Sequence, residues 1–93
     1  MKPYYVTLCV PGAKRTYRVV HEDLKADERH GDIDLTDPLI RIDRNQEAFE
    51  RLLTAAHEAT HAAMPWAKEA LVRQIEKNWR AIIYPIGVEE GWW

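Results

Sequence analysis

Residues 54 to 63, TAAHEATHAA, decide how the rest of the chain is interpreted, because they place His-Glu-x-x-His inside a run of small residues. On an α-helix, His57 and His61 lie one turn apart on the same face, so that two neutral imidazoles converge on one point. Glu58 is rotated by roughly 100° from His57 and stays off that point. Imidazoles in this arrangement bind zinc at about 2.0–2.1 Å, and the pattern therefore predicts a zinc site.

Two interpretations compete for these residues. Two histidines and a glutamate can meet by chance on an ordinary amphipathic helix. Glu58 is, however, the only charged residue between Thr54 and Ala63, as a helix packed beneath a metal requires, because further charges would face the site or the core uncompensated. We therefore favour the metal site. Glu58 is then the predicted catalytic residue, a general base for a water that zinc activates while the metal polarises the attacked carbonyl.

The sequence around the motif predicts a core helix over residues 45–64. Asp43 is the predicted N-cap, with Gln46 as its capping-box partner, and Met64-Pro65 predicts the end of the helix. Apolar and small side chains recur between these limits at helical spacing: Phe49, Leu52, Leu53, Ala56 and Ala63.

The stretches before this helix predict a small antiparallel sheet. Residues 1–20 contain two runs of β-branched and aromatic residues around a Pro-Gly turn, which indicates a β-hairpin. Residues 21–32 are mostly charged and indicate a surface loop. Residues 31–43 predict an Asp-rich turn followed by an edge strand. Cys9, the only cysteine, lies in the first strand, where we expect a buried and inert thiol.

A second helix is predicted over residues 66–84, with Pro85 stopping it. Its predicted apolar face consists of Val72, Ile75, Trp79, Ile82 and Ile83. The tail, residues 85–93, ends in two tryptophans that we expect to cover the margin of the core, with self-association as the alternative. Residues 1–93 are thus predicted to form a single α+β domain, a small antiparallel sheet packed on two antiparallel helices.

A catalytic zinc site usually has three protein ligands and a water, so one ligand beyond the two histidines is needed. Glu69 is the favoured third ligand, because an antiparallel helix pair would bring the first turn of the second helix near His61. Glu76 is the reserve. The alternative is that Glu69 and Glu76 belong to a solvated ridge of charges that alternate in sign with Arg73 and Arg80. Oxyanion stabilisation from His30, Tyr84 or an arginine is left open.

Composition narrows the classes of function. The chain has 93 residues, 46% of them hydrophobic and 30% charged, as in a small globular domain. A formal net charge of −2 and the lack of a basic stripe argue against nucleic-acid binding. No apolar run approaches the ~20 residues that a membrane span needs, and the start of the chain does not resemble a secretory leader. A single cysteine favours a reducing, cytoplasmic setting, and the sequence leaves the oligomeric state open.

Residues 56–62, AHEATHA, resemble the signature of zincin metallopeptidases. From about residue 31 to residue 84 the order of elements is also similar to that of the very small putative metallopeptidases of phages and prophages. The resemblance implies zinc, Glu58 as base, a glutamate of the second helix as third ligand, and a bacterial or phage-infected host cytoplasm. It also implies that the strand over residues 38–43 holds an extended substrate. Met64 and Ala67 stand at the glycine and third-histidine positions of metzincins, which excludes that branch.

The expected function is therefore a zinc-dependent metallopeptidase that hydrolyses peptide bonds in extended peptide or protein segments. The alternative is a non-catalytic zinc-binding or protein-interaction module with the same fold, which is motivated by the small size of the chain. A nucleic-acid accessory protein is a third interpretation, and the charge balance disfavours it.

Overall fold

A computed structural model describes residues 1–27 and 29–93, which form a four-stranded sheet, helix α1 packed on that sheet and helix α2 packed against α1. The elements are β1 (Tyr4–Val10), β2 (Ala13–Glu22), a short 3-10 turn (Lys25–Asp27), β3 (Gly31–Asp34), β4 (Leu39–Asp43), α1 (Ala48–Ala63) and α2 (Glu69–Glu90). The predicted α+β class, a small sheet packed on two helices, is confirmed.

The sheet has the order β1-β2-β4-β3 and is mixed, not wholly antiparallel as the sequence suggested. β1 and β2 form the predicted hairpin, and β3 and β4 form a second antiparallel pair, but β4 runs parallel to β2. The prediction that residues 39–43 form an edge strand is therefore wrong, since β4 has neighbours on both sides. Its Ile40 and Ile42 are 3% and 1% exposed, as suits an interior strand.

The outer edge of the sheet is β3, in a stretch that was predicted to be an Asp-rich turn. Cross-strand pairs explain why these residues are extended, because Ile33 lies opposite Ile40 and Asp32 lies opposite Arg41. The Arg41 guanidinium donates to the Asp32 carboxylate from Nε at 2.8 Å and also from Nη2. Pairing across the strands thus outweighs the turn preference of the aspartates.

The core lies between the sheet and α1. Tyr17, Val19, Ile40, Ile42 and Ala62 form one buried cluster, and Leu53 of α1 is 1% exposed. Burying one such aliphatic side chain stabilises the fold by about 1.5–3 kcal/mol. These contacts fix which face of α1 meets the sheet, and therefore which face is left for the histidines.

Helix α1 ends before Pro65 as predicted, but it begins later than expected. The residue before its first turn is Glu47, whose side chain makes no capping hydrogen bond. Asp43 is not the N-cap. Its buried carboxylate closes the end of β4 instead, accepting from the backbone N–H groups of Leu24 at 3.3 Å and Asn45 at 3.2 Å.

Helix α2 continues through Pro85 to Glu90, so the prediction that Pro85 stops it is wrong. A proline inside a helix costs about 3 kcal/mol or more, and tertiary packing compensates for it here. Trp93 folds back on this last stretch: its ring lies 4.9 Å from that of Phe49, and its Nε1 donates to the Tyr84 carbonyl at 3.2 Å. Trp93 thus covers the core margin as expected of both terminal tryptophans, whereas Trp92 is 58% exposed. Gly91, with φ of 76°, ends the helix.

Two smaller expectations concern the burial of Cys9 and the length and hydropathy of the helices. Cys9 is exposed, so the prediction of a buried thiol is wrong. The alternation along β1 turns Val6, Leu8 and Val10 toward the core, which places Cys9 on the opposite face of the strand. Among the described residues, neither helix is long and apolar enough to cross a membrane.

Candidate metal centre

Three side chains meet where α1 and α2 pack together. His57 Nε2 lies 2.7 Å from Glu69 Oε1, and His61 Nε2 lies 2.9 Å from Glu69 Oε2. The two Nε2 atoms are 3.2 Å apart. The one-turn spacing on α1 brings the imidazoles together, and the antiparallel return of the chain places the first residue of α2 opposite them. Within the described part of the chain, His57, His61 and Glu69 form the one group with the spacing of metal ligands.

Glu76 lies two turns along α2 from Glu69 and contacts the other side of His57. Its Oε1 is 3.2 Å from His57 Nδ1. A carboxylate at this distance favours the tautomer that carries its proton on Nδ1, which leaves the Nε2 lone pair free. Glu76 therefore orients His57 and does not join the group, which distinguishes it from Glu69.

The tautomer has an electrostatic consequence. With its proton on Nδ1, a neutral His57 points a lone pair at a Glu69 oxygen 2.7 Å away and at His61 Nε2. A positive charge between these atoms, either a proton or a metal ion, would offset the repulsion between their electron pairs. Partial burial opposes the ionisation of Glu69, but the coulombic attraction of His57 and His61 and their hydrogen bonds prevail, so that the pKa of Glu69 lies below its ordinary value.

The three donor atoms fit a zinc ion. Two imidazole nitrogens and one carboxylate oxygen form a typical donor set for catalytic zinc. Donors on a tetrahedral ion with bonds of about 2.0–2.1 Å lie about 3.3–3.4 Å apart. The two Nε2 atoms, 3.2 Å apart, are close to that spacing, and the contacts at 2.7 and 2.9 Å are made by the two different oxygens of Glu69, one of which would serve as the ligand. A small outward movement of Glu69, whose side chain is half exposed, would meet it.

Glu58 is buried beside this group, 6% exposed. Its Oε1 lies 4.0 Å from His57 Nε2, too far to share the ligand position and near enough to reach a water there. Burial raises the pKa of Glu58 to about 7, a change that His57 opposes and the neighbouring carboxylates Glu69, Asp32 and Glu76 reinforce. A carboxyl group with a pKa near neutrality is suited to accept and return a proton.

Strand β3 lies directly against the motif helix. Gly31 permits this approach, because a Cβ there would stand 2.5 Å from Thr54 Cγ2 and 2.8 Å from the Arg41 carbonyl oxygen. Gln46 ties the elements together: its Nε2 donates to the His30 carbonyl at 3.0 Å, and its Oε1 accepts from Thr54 Oγ1 at 3.0 Å. The free edge of the sheet is thereby held beside Glu58.

A cleft of about 780 Å³ opens between β3, α1 and α2. The metal-type group and Glu58 lie in it, and β3 supplies one wall. Its rim carries basic side chains from two directions: Arg29, His30, Arg73 and Lys77. Of the oxyanion candidates, His30 and two arginines, Arg29 and Arg73, line the cleft, whereas Tyr84 does not and packs edge-on against Phe49 at 5.0 Å.

The charged ridge along α2, which was the alternative interpretation of Glu69 and Glu76, is mostly not formed. Arg80 pairs with Glu50 of α1 at 2.7 Å, and Glu76 turns to His57, so that only Glu69 and Arg73 at 3.4 Å retain that pattern. From the sequence, Glu76 is only the reserve ligand, and its role in orienting His57 is missed. The sequence feature that could have indicated this role is the spacing of two helical turns between Glu69 and Glu76, which puts both carboxylates on one face of α2.

Comparisons with models of protein families, with curated proteins and with solved structures find no match for this chain. The resemblance to zincins therefore rests on the motif residues and on how the fold arranges them. The class that fold and site define is a small α+β domain with a His57, His61, Glu69 group at the base of a cleft.

Proposed function

We propose that this protein is a zinc-dependent metallopeptidase. The observation that carries the proposal is the convergence of His57, His61 and Glu69 beside a buried Glu58 in an open cleft. Ligands alone would support any zinc site. The additional acid, close to the ligands and outside them, is what hydrolysis requires.

In the proposed site, His57, His61 and Glu69 hold the ion, and Glu76 keeps His57 in the correct tautomer. Bound zinc supplies Lewis acidity, which polarises the scissile carbonyl and makes a neighbouring water easier to deprotonate. Glu58 accepts the proton of the attacking water and later delivers it to the departing amine. Its low exposure keeps bulk water away from this proton.

The substrate is proposed to bind as an extended segment along β3. The strand over residues 38–43, which was expected to hold it, has β2 on one side and β3 on the other, so its backbone groups are already paired. Within the described part of the chain β3 pairs with β4 alone, and it lines the cleft with Gly31, Asp32 and Ile33. Its free edge offers backbone donors and acceptors at the height of Glu58.

The test compares Glu58→Gln with wild type for zinc content and for cleavage of a mixed library of unstructured peptides. We expect one zinc per chain in both proteins, and loss of cleavage in the variant alone, because glutamine fills the same space and cannot accept the proton. Glu90→Gln, the same change at an exposed position of α2, is the matched control. Cleavage by Glu58→Gln at the wild-type rate would refute the proposed role.

The second candidate is a non-catalytic module in which zinc only joins the helices. It is favoured by the origin of the ligands, two from α1 and one from α2, so that one ion would fasten the helix pair. The candidates differ in whether a coordination position is open. Binding of a simple hydroxamate to the zinc-loaded protein supports the peptidase, and failure of any added ligand to bind supports the structural site.

A further inference from the structure

Helix α2 carries a row of aliphatic side chains that the rest of the described chain leaves uncovered. Leu71, Ile82 and Ile86 are 46%, 65% and 47% exposed, and Ile75 is partly buried. At 100° per residue these four positions fall within an arc of roughly 60°. We refer to Leu71, Ile75, Ile82 and Ile86 as the α2 stripe. Scattered exposed aliphatics are ordinary, but four aligned on one helix face indicate a contact surface.

The stripe does not belong to the cleft or to the core. Val72, which is fully buried, marks the side of α2 that meets the rest of the domain. Glu69 and Glu76 project into the cleft, rotated by roughly 80–160° from the members of the stripe. A partner seated on the stripe would therefore leave the cleft open.

Charges at the two ends of the stripe indicate what covers it. Lys68, the N-cap residue of α2, precedes Leu71 at one end of the stripe, and Glu89, in the last turn of the helix, follows Ile86 at the other. The stripe is thus basic at one end and acidic at the other, which makes it complementary to an inverted copy of itself. An anionic membrane surface would match only the basic end.

The spacing supports the same occupant. If two copies of α2 pack antiparallel around a two-fold axis between Asn78 and Trp79, Leu71 meets Ile86 of the second copy, and Ile75 meets its Ile82. The same axis brings Lys68 to Glu89 of the second copy. A parallel pair would instead place Lys68 beside Lys68 and Glu89 beside Glu89, which is repulsive.

We infer that the α2 stripe is the interface of a symmetric, antiparallel homodimer. An isologous contact of this kind uses one patch twice and closes on itself. It is independent of the proposed peptidase activity, since no member of the stripe lies in the cleft.

Sedimentation equilibrium of the full chain, over a range of concentrations, tests the interface. Wild type should shift from the monomer mass of 10.9 kDa toward about twice that value. Ile82→Glu should remain monomeric, because it places two carboxylates in the apolar contact. Val88→Glu, at a position 52% exposed on another face of α2, should dimerise as wild type does. A wild type that stays monomeric throughout, or equal behaviour of the two variants, would overturn the inference.

Charge exchange and cross-linking test the antiparallel register. Lys68→Glu should weaken the dimer by about tenfold, since it affects both ends of the contact, and adding Glu89→Lys should restore it. In a Cys9→Ser background, Asn78→Cys lies near the axis and should form an intermolecular disulfide on oxidation. Lys68→Cys should not, because its two copies would be about 30 Å apart. Cross-linking through Lys68→Cys alone would show a parallel pair and refute the register.

Discussion

The metal-free protein should become progressively less stable, through Glu58, as the pH rises from about 4.5 to about 7. In the unfolded chain this carboxyl group ionises near 4.5, whereas burial in the folded protein raises its pKa to about 7. Between these values the unfolded chain releases a proton that the folded chain retains, so rising pH favours unfolding. At about 1.4 kcal/mol per pH unit, the difference corresponds to about 3 kcal/mol of unfolding free energy.

The assay is urea unfolding of the metal-free protein at intervals from pH 4 to pH 8, in wild type and in Glu58→Gln. Other carboxylates titrate in both proteins, so the quantity of interest is the difference between them. Across this window, the unfolding free energy of Glu58→Gln should rise by about 3 kcal/mol relative to that of wild type. The unfolding free energy of Glu90→Gln should change with pH as that of wild type does. A difference that does not change with pH would refute the reasoning. Adding zinc should reduce the difference, because a nearby cation favours ionised Glu58.

Two further predictions concern the residues around Glu58. Glu69→Ala should lose tight zinc binding. Glu76→Gln, which can still accept from His57 Nδ1 but without charge, should bind zinc about 10- to 100-fold more weakly than wild type. Competition with a chromogenic chelator measures the zinc affinity of both variants, and equal affinities of the two would refute the assigned roles. Gly31→Ala should cost about 1–3 kcal/mol of unfolding free energy in urea, because its Cβ would stand 2.5 Å from Thr54 Cγ2 and force β3 away from α1. An unchanged midpoint would show that β3 is not held where the structure places it.

The sequence predicts the helices better than the sheet, because the two depend on different information. The face of α1 is readable from local spacing, since Phe49 and Leu53 recur with the period of a helix and are both buried. Which strands lie beside each other is a non-local choice. Residues 39–43 show the alternation of apolar and polar side chains that is typical of a strand. Nothing in this stretch indicates that β2 pairs with it in parallel.

The late end of α2 is a second case in which a distant contact outweighs a local rule. Pro85 is a reliable stop signal when a helix has nothing else to hold it. Here Trp93 returns to pack on Phe49, and its ring leaves no room for a Cβ on Gly87. The sequence contains both partners, but only the folded chain shows that they meet.

The candidate site combines both kinds of information. The one-turn spacing of His57 and His61 is local, and the proximity of Glu69 follows once two helices are antiparallel. Glu76 requires more, because its role depends on the rotation of α2 about its own axis, which Val72 fixes by packing to complete burial. Orienting residues are therefore the part of a site that sequence reasoning is least able to assign.

The same packing gathers carboxylates around the candidate site. Glu58, Glu69, Glu76 and Asp32 face one small region, and each neighbouring carboxylate raises the pKa of Glu58 further. A divalent ion among them would offset this repulsion, and its binding free energy would add to that of folding, because the ligands come from both helices. The proton affinity of Glu58 and a lower stability without metal would then have one cause, the burial of carboxylates around a position that a cation would fill.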